Sequence, residues 1–132
     1  MPWRAFRSRD GRQVSRPVVH VLFEGRQDVD LLLLDSGADF SMAPVQLAID
    51  LGIDTSEGLR LEMRGISPRP ECFVEARVVD VRLRIMPRGW ELKVPFAFAE
   101  GNVPLLAGRY GFLERLEVVL QGSRQSSLLR LL

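Results

Sequence analysis

The sequence predicts an all-β fold, mainly strands with one or two short helices, closing into a complete or partly open barrel. Three observations point there. Short runs of β-branched and apolar residues recur along the chain, bounded by turn residues. Several of these runs alternate apolar and polar side chains, the mark of a half-buried strand. Only two brief stretches carry helical spacing, and no linker or repeat divides the 132 residues, a length that fits one domain.

Residues 1–16 are Arg-rich and contain no apolar core of a signal segment. They are expected to form a flexible polar arm ahead of a domain spanning 17–132. Val18 to Glu24 reads as a strand, Gly25-Arg26-Gln27 as a turn, and Val29 to Leu34 as the returning strand of a hairpin. Val45 to Leu51 has helical spacing, with Pro44 suited to a first turn and Gly52 as a stop. Leu59 to Met63 alternates as a strand, and the turn-rich stretch 64–70 separates it from Phe73 to Val78. The apolar phase then shifts: Val74, Ala76 and Val78 share one face, whereas Val79, Val81, Leu83 and Ile85 share the other. A one-residue shift flips the buried face, so a bulge is predicted near Val78-Val79.

Pro87-Arg88-Gly89 turns the chain into a strand from Trp90 to Phe98, and Pro95 predicts an edge or bulge position for it. Val103 to Gly108 is a further apolar segment, and 109–115 is predicted as a short helix. Leu116 to Leu120 and Leu128 to Leu132 read as strands joined by a polar turn.

Hydrophobic residues make up 46% and charged residues 27%, an ordinary soluble composition. The net charge of +1 offers no whole-chain attraction for nucleic acid. One cysteine, Cys72, and one histidine, His20, make neither an internal disulfide nor a common zinc site, so no metal or cofactor is expected. A single cysteine fits a reducing cytoplasm. The apolar run Leu31 to Leu34 is far below the roughly 20 residues a membrane span needs, so no membrane partner is expected.

The chemistry-bearing segment is Asp35-Ser36-Gly37-Ala38, directly after an apolar strand. An Asp there can project from a rigid scaffold, Gly37 permits close approach of another chain, and Ser36 can brace the loop. Peptide hydrolysis needs a base to activate water and an acid to protonate the leaving nitrogen. Two carboxyls sharing a proton supply both. The chain holds one Asp-Ser-Gly segment, so the second carboxyl has to come from another copy across a twofold axis.

Leu34-Asp35-Ser36-Gly37-Ala38-Asp39 resembles the retropepsin active-site motif. Leu105-Leu106-Ala107-Gly108-Arg109 is similar to the family's second motif, and the turn at Gly65, Ile66, Ser67 and Pro68 sits between them, as the family's flap does. The resemblance covers about Val18 to Leu120. It implies a single-domain protomer with an acid-protease barrel, working as a homodimeric aspartic endopeptidase on extended peptide or protein substrates. Asp35 and its mate would hold the attacking water. Ser36 and Ala38 would support the loop, and Gly37 would meet substrate backbone. Leu106, Ala107 and Gly108 would pack beneath, and Asp39 would pair with Arg109. The small Ala107 and the prolines Pro68 and Pro70 depart from the family pattern. A second reading keeps the fold without the chemistry, as a dimerisation or peptide-binding module.

Overall fold

The computed structural model describes residues 1–64 and 73–132. The strands in chain order are β1 (Arg4–Arg7), β2 (Gln13–Arg16), β3 (Val18–Phe23), β4 (Asp30–Leu34) and β5 (Ser41–Pro44). The helix α1 (Val45–Asp50) follows, then β6 (Leu59–Arg64), β7 (Phe73–Ile85), β8 (Trp90–Ala99), β9 (Leu106–Ala107), β10 (Leu116–Gln121) and β11 (Ser126–Leu131). The main sheet runs β3-β4-β9-β5-β8-β7-β6. An added β3–β7 pairing over Val21–Phe23 closes six of these strands into a barrel, with β6 left outside the closure. The all-β barrel expected from the strand pattern is what the chain builds.

The barrel interior is where the alternating residues meet. Val79, Val81, Leu83 and Ile85 of β7 face Phe96, Val94, Leu92 and Trp90 of β8 in an unbroken antiparallel register. Phe23, Leu32, Phe96 and Phe112 are completely enclosed, and Phe23 meets Phe96 edge-on at 5.7 Å. Each such side chain contributes about 1.5–3 kcal/mol by leaving water.

No bulge breaks β7. The register with β8 stays one-to-one from Ala76↔Ala99 to Ile85↔Trp90. The phase shift has another cause: the outward face of β7 and β8 is itself covered at one end. There Ala76, Ala97 and Ala99 form a second apolar cluster with Phe40, Met42, Met63, Val78 and Val103. At the other end the outward side chains are charged, with Arg84 against Glu91 and Lys93 near Asp80. One strand therefore buries both faces in one half and a single face in the other.

Four further expectations are corrected. Residues 4–16 are not an unstructured arm but a two-stranded hairpin, with Phe6 opposite Val14 and a turn through Asp10-Gly11, where Gly11 takes φ +86°. Asp-Gly is a strong hairpin turn, since both residues tolerate positive φ. Ser41–Pro44, for which no strand was expected, forms β5, which pairs in parallel with β8, and Pro44 is an extended cap at ψ 148° rather than part of a helical turn. The helix expected over 109–115 shrinks to a 3-10 turn at Leu113–Arg115. Gly111 at φ +67° interrupts it, and a Cβ there would lie 2.5 Å from the Pro95 ring. Pro95 itself lies in an interior strand, one residue before the parallel pairing with β5 begins at Phe96.

The helix α1 ends as its sequence predicts. Gly52 at φ +70° lets its own N–H reach the Ile49 carbonyl and the Ile53 N–H reach the Ala48 carbonyl. This paired capping satisfies carbonyls that the last helical turn would leave open. No helix among the described residues is long and apolar enough to cross a membrane.

Candidate functional site

Asp35 stands immediately after β4, at the point where that strand leaves the sheet. Its position follows from two short parallel pairs, Leu33↔Leu106 and Leu34↔Ala107, which thread β9 between β4 and β5. The Asp35 N–H continues that ladder, donating to the Ala107 carbonyl at 3.0 Å. The first motif is thus pinned to the second by backbone alone.

The loop beyond is tied back on itself. The Gly37 N–H donates to Asp35 Oδ1 at 2.9 Å, and the Ala38 N–H donates to the Asp35 carbonyl at 3.2 Å. An Asp side chain accepting from the backbone two residues on is a common way to stiffen a turn. Two more backbone bonds clamp the far side, from the Arg109 N–H to the Ala38 carbonyl and from the Tyr110 N–H to the Asp39 carbonyl. Arg109 Nη2 also donates to Asp39 Oδ1, so the structure brings Asp39 and Arg109 together.

Beneath the loop, Leu106, Ala107 and Gly108 are buried. The Gly108 N–H donates to the buried Ser41 Oγ at 3.0 Å. A Cβ on Gly108 would sit 2.3 Å from the Phe40 carbonyl carbon. No side chain fits there, so the second motif's glycine is a packing requirement. Ser41 went unrecognised in the sequence, and so did the edge-on pair Phe40–Tyr110 at 5.4 Å. A lone Ser beside an apolar run carries no mark of its partner 67 positions away.

Asp35 and Ala38 are half-buried, whereas Ser36, Gly37 and Asp39 are exposed. Gly65, Ile66, Ser67 and Pro68 lie outside the described residues. The stem below them is described, with β6 and β7 paired from Leu59↔Val78 to Arg64↔Phe73. Phe40 and Met42, which leave the Asp35 loop, belong to the same apolar cluster as Met63 and Val78 of that stem. The loop and the stem therefore pack on one buried apolar cluster with three alanines at its centre.

No family model matches this chain, and no curated protein matches it significantly. The site has to be read from its geometry.

That geometry presents one half-buried carboxylate, held by the Gly37 N–H, at the head of a loop that leads into a buried apolar cluster. Among the described residues no group of three or more His, Cys, Asp or Glu is placed to hold a metal ion. Carboxylates elsewhere are tuned by local hydroxyls. The Ser56 hydroxyl and N–H hold Asp54 below the usual carboxylate range, and Ser8 with the Arg12 N–H does the same for Asp10.

Proposed function

We propose that this chain is an aspartic endopeptidase in which Asp35 and its symmetry mate, brought together in a homodimer, activate water against an extended peptide. The observation that carries the reading is the fixed placement of Asp35. Its backbone is held by Ala107, one carboxylate oxygen by Gly37, and the loop by Arg109 and Tyr110. A carboxylate held this firmly while still half-exposed is preorganised for chemistry, since a reacting group needs a defined position before substrate arrives.

One carboxylate supplies a base or an acid, not both in the same step. A second carboxyl across a twofold axis completes the set: one ionised group takes the water's proton while the protonated partner donates toward the substrate. The reaction then passes through a tetrahedral diol and leaves no covalent bond to the enzyme.

The β6–β7 stem packs through Met63 and Val78 on the same buried alanine cluster as Phe40 and Met42, which follow the Asp35 loop. An extended peptide beside that stem would add backbone hydrogen bonds, the usual mode for extended ligands. A reducing cytoplasmic setting accords with the single cysteine.

Digestion of a peptide library across pH tests the reading. Wild-type protein is expected to cleave, and Asp35→Asn to lose activity by about a thousandfold, within the range a general acid–base group contributes. Cleavage that survives in a folded Asp35→Asn protein would refute the assignment. Peptide binding without turnover in the wild type would favour a non-catalytic peptide-binding module.

A further inference from the structure

We propose that the hairpin of β1 and β2 is a docking surface for single-stranded nucleic acid, its arginines taking phosphates while Phe6 and Arg16 take a base. This binding needs nothing from Asp35 and goes beyond the proposed hydrolysis.

The small net charge of the chain conceals a division. Residues 1–16 hold five arginines against one carboxylate, Asp10, a local side-chain charge of +4. The total of +1 leaves the remaining residues at −3. A polyanion responds to charge within a Debye length of about 10 Å, not to the sum over the chain. Asymmetry of this kind within one chain marks a surface for nucleic acid or membrane.

The fold turns that composition into a built surface. Among the described residues, β1 and β2 pair only with each other, and an isolated two-stranded hairpin is marginal in water. Both of its ends are anchored. On one side the Trp3 N–H donates to the Gln125 carbonyl, and the Trp3 indole donates to Ser127 Oγ at 2.8 Å. On the other, the Leu34 N–H donates to the Pro17 carbonyl at 3.0 Å. The arginines therefore sit on a ribbon with a fixed base.

Two observations on that ribbon point to an anion. Arg4 stands directly opposite Arg16 in the register, and like charges so placed destabilise a strand pair. Asp10 takes Arg12 at 3.1 Å, and among the described residues no carboxylate lies within ion-pair reach of Arg4, Arg7, Arg9 or Arg16. A phosphate between Arg4 and Arg16 would replace their repulsion with charge-assisted hydrogen bonds, for which the guanidinium fork is suited.

The neighbouring side chains select nucleic acid. Phe6 and Val14 share the face of Arg4 and Arg16, and the Arg16 guanidinium lies over the Phe6 ring, 5.9 Å from its centre. Unpaired bases stack on aromatic rings and on guanidinium planes while basic side chains follow the backbone. A membrane calls for a broader apolar face than one half-buried phenylalanine and one valine. An acidic peptide would use the guanidiniums and leave the aromatic ring without a role.

Fluorescence anisotropy of a labelled oligothymidylate of about 20 nucleotides, titrated at several salt concentrations, tests the surface. With four unpaired arginines engaged, log affinity should fall against log salt with a slope of about −3. The paired substitutions Arg4→Ser with Arg16→Ser, and Arg7→Ser with Arg9→Ser, should each weaken binding about tenfold or more at low salt and shallow the slope by about 1.4. Circular dichroism confirms the fold of each variant, and two separate pairs guard against one failing to fold. Phe6→Leu should cost about fivefold or more with the slope unchanged, as lost stacking does. No binding at about 50 mM salt, or unchanged affinity and slope in the folded arginine variants, would overturn the proposal. Equal affinity for a duplex of the same length would overturn the choice of a single strand. Tighter capture by phosphatidylserine vesicles than by the oligonucleotide would assign the surface to membranes and overturn it.

Discussion

The Asp35 loop and the β10–β11 hairpin are both surface features that stop halfway, and they stop in opposite ways. The loop is well tied by hydrogen bonds and, on the proposed function, incomplete in chemistry. Its backbone is tied at Asp35, Ala38, Arg109 and Tyr110, yet it offers one carboxylate where the proposed hydrolysis uses two. The hairpin lacks no chemistry and is incomplete in pairing. One strand is capped by residues 1–3, while the other shows an open apolar edge. The proposed half-site would gain from being fixed before its partner arrives, because a positioned group loses little freedom in the reaction.

Two glycines expose the contrast most sharply. Gly108 lies under the loop, where a Cβ would press within 2.3 Å of backbone at Phe40. Gly108→Ala is expected to destabilise the chain by about 3 kcal/mol, the upper range for overpacking, and to reduce cleavage with it. Urea denaturation followed by tryptophan fluorescence measures the first effect. A change below about 0.5 kcal/mol, the usual surface value, would mean that the loop is far more yielding than its contacts indicate.

The ion pair above that glycine matters less. Arg109 and Asp39 are both exposed, and an exposed pair contributes under about 1 kcal/mol. Arg109→Met keeps the backbone N–H that holds Ala38, so thermal melting should show only a small loss, and one that shrinks at high salt. A loss as large as that of Gly108→Ala would move the chief restraint of the loop from its backbone to its side chains.

The smallest effect belongs to the hairpin turn. A Cβ on Gly122 would meet nothing within 4 Å. Gly122→Ala should change stability by no more than about 0.5 kcal/mol, as surface substitutions usually do. A larger change would show the hairpin tip to be packed against something.

Much of the barrel was legible because its strands alternate cleanly. Val18–Phe23, Leu59–Arg64 and Trp90–Ala99 stand where the pattern places them. The Asp35 loop and the Gly108 segment were legible as motifs, and the structure brings them into direct contact. What escaped notice depends on distant partners. The phase shift in β7 reads as a bulge in one dimension, whereas the cause is a second apolar cluster assembled from β5, β6 and β8. β5 is only four residues long and includes a proline, so it has no local strand signal; parallel pairing with β8 creates it. The hairpin at 4–16 was hidden by its arginines, since charge dominates the composition while Phe6, Val14 and the Asp10-Gly11 turn set the structure.

The proposed shared site can be tested by mixing subunits. Equal amounts of wild-type and Asp35→Asn chains are allowed to exchange, and cleavage is compared with that of an all-wild-type sample at the same total chain concentration. If two Asp35 carboxyls act as one unit across a twofold axis, about a quarter of the dimers carry both, and activity should fall to about a quarter. A fall to only about a half would mean that each Asp35 works alone, and would contradict a shared-proton pair.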